Sequence, residues 1–134
     1  ISLKICHLII IKYMTANPNY IQKIKEKYNK KIISVVTVSN KNDVDKYKQY
    51  ENFSDIILFD SKGYHKSVSF NHNYLDKVIT KIPIMIAGDI KIDDLSNFKN
   101  KNFYIDISGG LETEGIKDIN KIDKFLNSVH NIFS

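Results

Sequence analysis

Apolar residues along the 134-residue chain fall into short blocks, separated by polar stretches rich in lysine and asparagine. Blocks at 7–14, 31–38, 55–60, 82–87 and 103–108 each read as a strand. They are apolar on both faces rather than alternating, the pattern of a parallel sheet covered by helices. Helical signals lie between them. Asn17 is a cap with Pro18 in the first helical position, and that helix runs to about residue 28 with Ile21 and Ile24 turned inward. Ser39 or Asn40 caps a polar helix over 41–50, and further helices are predicted over 71–80, 92–98 and 117–132. Residues 61–69, with Gly63, form a loop. The order is strand then helix, five times over, with a period of about 25 residues. Right-handed crossovers then leave a doubly wound sheet or a piece of an eight-fold barrel. Strand order separates the two: 1-2-3-4-5 for a barrel fragment, 2-1-3-4-5 for a flavodoxin-like sheet.

In either fold ligands gather at the carboxyl ends of the strands. The chemistry-bearing residues there are Asp60, Gly88, Asp89, Asp106, Ser108 and Gly109. The stretch 103–115 is the most informative. An apolar strand breaks at Ser108-Gly109-Gly110, and an amphipathic helix is predicted to open at Ile116-Lys117-Asp118. Bare N–H groups, a hydroxyl and two glycines make such a turn an anion cradle; its plain alternative is an ordinary tight turn. Asp106 shares the face of Ser108, and its plain alternative is a carboxylate bonded to a neighbouring helix or loop. For Asp60 that alternative is a helix cap or turn residue.

Composition narrows the function class. The net charge is +5, carried by lysine alone because arginine is absent. The lysines are spread over every predicted helix face and no aromatic-basic cluster offers stacking for bases, so nucleic acid is not an expected partner. The richness in Lys, Asn and Ile matches an AT-rich coding bias. Cys6 is the single cysteine, so no intramolecular disulfide can form, and a reducing, cytoplasmic compartment is expected. The apolar stretch 1–11 is too short to span a bilayer, so no membrane is expected either. The sequence does not begin with Met and reads as a piece of a longer one. His65, His72 and His130 lack metal-ligand spacing and are read as surface residues; no Ser-His-Asp or Cys-His pairing is visible.

The runs Asp55-Ile-Ile-Leu-Phe-Asp60-Ser-Lys, Ile86-Ala-Gly88-Asp-Ile, Asp106-Ile-Ser-Gly-Gly-Leu-Glu112 and Gly115-Ile-Lys-Asp118, in this order and spacing, resemble phosphoribosylanthranilate isomerase. The resemblance covers roughly residues 11–132 and implies a (β/α)8 barrel, present as an incomplete barrel of about five units, strands four to eight, in one partial domain over 1–134. It implies an Amadori rearrangement of a phosphorylated aminoaldose in tryptophan biosynthesis, without metal or cofactor. In that register Asp60 is the general acid that opens the furanose ring. Asp106 faces the anthranilate end of the substrate, and Gly88, Ser108 and Gly109 hold its phosphate. Asp89 stands where the family has a second glycine, and a carboxylate there repels phosphate unless turned away. Lys62 and Lys66, in the loop after the acid, are read as solvated. The family's general-base cysteine lies on strand one in a Lys-Ile-Cys-Gly context; Lys4-Ile5-Cys6-His7 is similar but is read as an accidental match. Without that strand the piece is not expected to turn over alone, and two open sheet edges favour association. The other reading is a non-catalytic, flavodoxin-like phosphate-binding or interaction domain.

Overall fold

The structure, a computed structural model, describes residues 8–11, 17–61 and 69–134. Five strands, β1 (Leu8–Ile11), β2 (Lys31–Val38), β3 (Ile56–Ser61), β4 (Ile84–Ile86) and β5 (Phe103–Ile105), pair in parallel in the order β1-β2-β3-β4-β5. Sequential neighbours are the barrel order, and the doubly wound alternative is excluded. Two α-helices, α1 (Pro18–Tyr28) and α2 (Ile119–Phe133), flank the described chain. Asn17 caps α1 as predicted, its side chain accepting from the Asn19 N–H at 2.9 Å.

The three middle connections differ from the sequence expectation. Lys41–Gln49, His72–Lys77 and Ile92–Phe98 are 3₁₀ helices rather than α-helices. Their sequences are short and rich in Asp and Asn, which compete with the helical backbone for hydrogen bonds. Their apolar residues stand three apart: Val44 and Tyr47, Leu75 and Val78, Leu95 and Phe98. Three residues per turn stacks each pair above the sheet, where a 3.6-residue turn would rotate one away. A further difference lies after β5. Glu112–Thr113 and Ile116–Lys117 form a two-stranded antiparallel hairpin, β6 and β7, so Lys117 is in a strand and α2 starts at Ile119.

The register sorts the sheet into two faces. Val36, Phe59, Ile86 and Ile105 form one row across four strands, and Ser34, Ile57, Ile84 and Phe103 another. These pack under Val44, Tyr47, Leu75 and Phe98 of the 3₁₀ segments, the main core. The opposite face carries Ile33, Val35, Leu58 and Ala87, with Ile56 and Met85 against them and, among the described residues, none from a helix. Helices ring the outside of a barrel, so this helix-free face is the interior.

The amino-terminal rim is held by Asp55. It accepts from the Ile32 N–H at 2.8 Å and from the Lys25 and Lys31 ammonium groups, each at 3.0 Å. Burial pushes this carboxyl up, but the Ile32 N–H and the two lysines outweigh it and hold the group below its ordinary value of 3.8. On the outer layer His72 is a correction to the surface reading. Its ring lies 4.5 Å from Phe70 and 5.3 Å from Phe98, and its Nε2 is buried with no hydrogen-bond partner among the described residues. Burial pushes its pKa below the ordinary 6.5, against an opposing hydrogen bond at the Ala87 backbone.

Both shifts have the same sign for stability. As pH falls through 6.5 the unfolded imidazole takes up a proton before the folded one does, so stability drops, and the loss levels off below the folded value. The contribution of Asp55 is complete above 3.8 and disappears as pH falls through its lower folded value. Thermal unfolding followed between pH 8 and 3 is therefore expected to show two separate losses. His72→Phe should flatten the upper one and leave the lower one; an unchanged upper slope would remove His72 as its source.

Candidate active site

The site is built on the row one residue beyond the core row. Thr37 is paired with Asp60 in the parallel register. The ladder continues past the strand ends, because the Ala87 N–H donates to the Phe59 carbonyl at 2.9 Å and the Asp106 N–H to the Ile86 carbonyl at 2.8 Å. Thr37, Asp60, Ala87 and Asp106 are thus successive members of one row at the carboxyl end of the sheet. Each is two residues beyond an interior residue (Val35, Leu58, Met85, Tyr104), so side-chain alternation gives all four the interior face. With parallel strands about 4.8 Å apart, Asp60 and Asp106, two strands apart, stand roughly 10 Å from each other along the rim. Asp60 is half-buried; Asp106 and Ser108 are exposed. β5 ends at Ile105, short of the predicted 103–108, so Asp106 stands in the open and not inside an apolar strand.

Two glycines bring the neighbouring loops against this rim. Gly88 is buried, with φ +97°, and a Cβ there would meet the Ser61 Oγ at 2.8 Å. A Cβ on Gly110 would meet the Ile90 carbonyl oxygen at 2.3 Å. Only bare backbone lets the turn after β5 close onto the turn after β4, and that turn onto the end of β3. Gly109 is different: nothing lies within 4 Å of the position its Cβ would take. The space above Gly109 is open while its neighbours are packed.

The turn itself is a 3₁₀ segment, Gly109–Leu111. It is fastened by a residue that sequence reasoning had assigned to the helix. The Lys117 ammonium donates to the Ser108 carbonyl at 3.0 Å and to the Ser108 Oγ at 2.9 Å, and pairs with Glu112 at 2.6 Å. The expected helix terminus does not open onto the turn. Asp118 caps α2 with its own carboxylate, accepting from the Asn120 and Lys121 N–H groups. Thr113 donates to the same carboxylate and is the first cause of its pKa lying below 3.8. Asp89 adopts φ +50° and its carboxylate lies 3.5 Å from the Lys91 ammonium. Thr37 was missed, although its place at the end of the second strand, on the parity of Val35, was available. Cys6, Lys62, Gly63, His65 and Lys66 lie outside the described residues. Among the described residues no cluster of three or more His, Cys, Asp or Glu is arranged to hold a metal ion.

Residues 15–128 match the family model of N-(5'-phosphoribosyl)anthranilate isomerase. The chain belongs to the N-(5'-phosphoribosyl)anthranilate isomerase family. A member from Clostridium acetobutylicum is 37% identical over 84% of this chain and 57% of its own length. One from Staphylococcus aureus is 30% identical over 86% of this chain and 57% of its own. Among solved structures, the phosphoribosylanthranilate isomerase of Thermus thermophilus superposes with a TM-score of 0.70 at 14% identity, over 87% of this chain and 57% of that one. A phosphoribosylanthranilate isomerase bound to reduced 1-(o-carboxyphenylamino)-1-deoxyribulose 5-phosphate superposes with a TM-score of 0.63 at 24% identity, over 87% and 56%. These likenesses establish the barrel fold for the sheet described above. The chain spans somewhat over half the length of the relatives that it matches.

Proposed function

We propose that the protein serves the isomerisation of N-(5'-phosphoribosyl)anthranilate in tryptophan biosynthesis, supplying the general acid and the phosphate cradle of that site from a single partial-barrel domain over residues 1–134. The observation that carries this reading is the shared rim. Asp60, Asp106 and the Ser108–Gly109 turn belong to one end of one sheet, and Gly109 is open where Gly88 and Gly110 are packed.

The chemistry follows from that arrangement. The substrate phosphate lies over the Gly109 backbone, with Gly88 and the Ser108 hydroxyl beside it. Lys117 donates to the Ser108 oxygen, which leaves the Ser108 proton directed outward to the ligand. Asp60, on the middle strand of the row, gives its proton to the ribose ring oxygen and opens the furanose. A general base then removes the C2′ proton, and the enolamine relaxes to the ketone. In the register of strands four to eight that base comes from strand one, so the acid half resides in this chain and the base half outside the matched residues. No metal or cofactor enters this scheme. The setting is cytoplasmic, consistent with the absence, among the described residues, of any helix long and apolar enough to cross a membrane.

The test is a fusion in which the chain replaces its counterpart behind the amino-terminal part of the Clostridium acetobutylicum isomerase. Growth of an isomerase-deficient strain without tryptophan is the expected result. A fusion that folds, yet neither supports growth nor binds reduced 1-(o-carboxyphenylamino)-1-deoxyribulose 5-phosphate, would overturn the reading and favour the non-catalytic binding domain.

Asp89 gives a second handle on the cradle. Asp89 directly follows Gly88 of the proposed cradle, and its carboxylate lies 3.5 Å from the Lys91 ammonium. Asp89→Gly removes one like charge and suits φ +50°. Inorganic phosphate is expected to bind about three- to tenfold more tightly, by the Coulomb term of one screened charge. Stability should shift by no more than about 1 kcal/mol, because left-handed strain relieved in the fold is offset by freedom added to the unfolded chain. Calorimetric titration of phosphate, at fixed ionic strength, checks both direction and size.

A further inference from the structure

His72 occupies a place that suits an apolar ring better than a polar one. Its imidazole is closed between Phe70 and Phe98 in the outer layer, and its Nε2 is buried with no hydrogen-bond partner among the described residues. Burial lowers its pKa below 6.5, so above that pH the ring is neutral and has one proton for two nitrogens. The hydrogen bond at the Ala87 backbone favours the protonated form, which makes the imidazole the donor and the Ala87 carbonyl the acceptor. Because Nε2 has no partner, the proton is assigned to Nδ1. A phenyl ring would fill the same slot without leaving a buried nitrogen unpaired. What only the imidazole adds is an N–H for Ala87.

The other end of that peptide is the Gly88 N–H. A trans peptide is planar, so its carbonyl and its N–H point opposite ways. A donor in the outer layer at the carbonyl therefore turns the N–H away from that layer, toward the rim. Local sterics do not fix the plane, because Gly88 at φ +97° lies in a region that glycine enters freely. The bond from the Ala87 N–H to the Phe59 carbonyl, at 2.9 Å, anchors the preceding peptide and not this one. We infer that His72 is a positioning residue of the phosphate cradle: its Nδ1–H holds the Ala87 carbonyl and so aims the Gly88 N–H at the ligand. This role rests on the reading of Gly88 as part of that cradle. The same bond polarises the peptide and makes its N–H a better donor. His72 itself touches no substrate; it acts through the backbone.

Two variants separate positioning from packing. His72→Phe keeps a ring between Phe70 and Phe98 but has no donor. His72→Asn loses the ring, while its amide nitrogen takes the place of Nδ1. Calorimetric titration of inorganic phosphate at pH 8 and fixed ionic strength reads affinity. The sequence holds one Ala-Gly pair, Ala87-Gly88, so isotope labelling of alanine carbonyls and glycine nitrogens isolates this peptide in the NMR spectrum. Phosphate is expected to bind His72→Phe about three- to tenfold more weakly, the worth of one hydrogen bond, and His72→Asn within about twofold of the parent. Stability should run the other way. His72→Phe should keep its thermal midpoint within about 3 °C, and His72→Asn, with a hole between the two phenyl rings, should lose roughly 5–10 °C. The Ala87–Gly88 resonance should move in His72→Phe and stay near the parent in His72→Asn. An unmoved resonance in His72→Phe, or a His72→Asn variant that binds as poorly as His72→Phe, would overturn the role and leave the cradle standing. A parent that binds no phosphate would instead sink the cradle, and the resonance would still decide whether His72 holds the peptide.

Discussion

With Asp60 replaced by asparagine, turnover is expected to fall about 10²–10⁴-fold, the usual worth of a positioned general acid. The measurement is made in the fusion behind the Clostridium acetobutylicum amino-terminal part, by the loss of anthranilate-type fluorescence. Asparagine keeps the shape of the side chain and can still donate a hydrogen bond to the ring oxygen, but it has no proton to transfer. The defect should therefore appear in kcat. Binding of reduced 1-(o-carboxyphenylamino)-1-deoxyribulose 5-phosphate should stay within about threefold of the parent, because an interaction made only in the transition state leaves ground-state binding alone. The thermal midpoint guards against a merely structural loss, since Asp60 sits at the end of β3, paired in register with Thr37. A rate within about tenfold of the parent would remove the acid assignment.

The second large effect is structural and separates two adjacent glycines. Gly110→Ala brings a methyl group to 2.3 Å from the Ile90 carbonyl oxygen and 3.0 Å from the Ile107 Cδ1. The nearer atom is backbone and cannot swing aside, so the turn after β5 must lift off the turn after β4. Overpacking of this kind costs roughly 1–3 kcal/mol, and a backbone obstacle argues for the upper end. For a chain of this size that lowers the thermal midpoint by roughly 10 °C. Gly109→Ala meets nothing within 4 Å and should leave the midpoint within about 1–2 °C. Its methyl would instead occupy the open space proposed for phosphate, so inorganic phosphate and the product analogue should bind at least about tenfold more weakly, a cost of roughly 1.4 kcal/mol. If Gly109→Ala unfolds the protein and Gly110→Ala does not, the packing described for this rim is wrong. If Gly109→Ala leaves phosphate binding unchanged, the cradle lies elsewhere.

Much of this rim was legible in the order of residues along the chain. Asp60, Gly88, Asp106, Ser108 and Gly109 were singled out because each ends an apolar block, and parallel strands deliver their ends to one side. What could not be read was how the turn after β5 is held. Lys117 has the spacing of a helical residue, two beyond Gly115, and only the hairpin of β6 and β7 turns it back to Ser108 and Glu112. Likewise His72 has no local mark of burial; its ring goes inside because Phe70 and Phe98, far apart in sequence, close over it.

By itself the sequence determined which blocks become strands, that they run parallel, and which residues stand at their carboxyl ends. Those are local matters of apolar spacing, caps and glycine breaks. Tertiary structure decided the rest. Apolar spacing alone left the barrel and the doubly wound sheet both open, and the sequential pairing of β1 to β5 bears out the barrel that the family resemblance implied. Packing against the sheet selected three residues per turn in the middle connections, since pairs three apart such as Val44 and Tyr47 are both buried there. Among the described residues β5 pairs with β4 alone and α2 buries none of its side chains, relations between elements that no single stretch of chain carries.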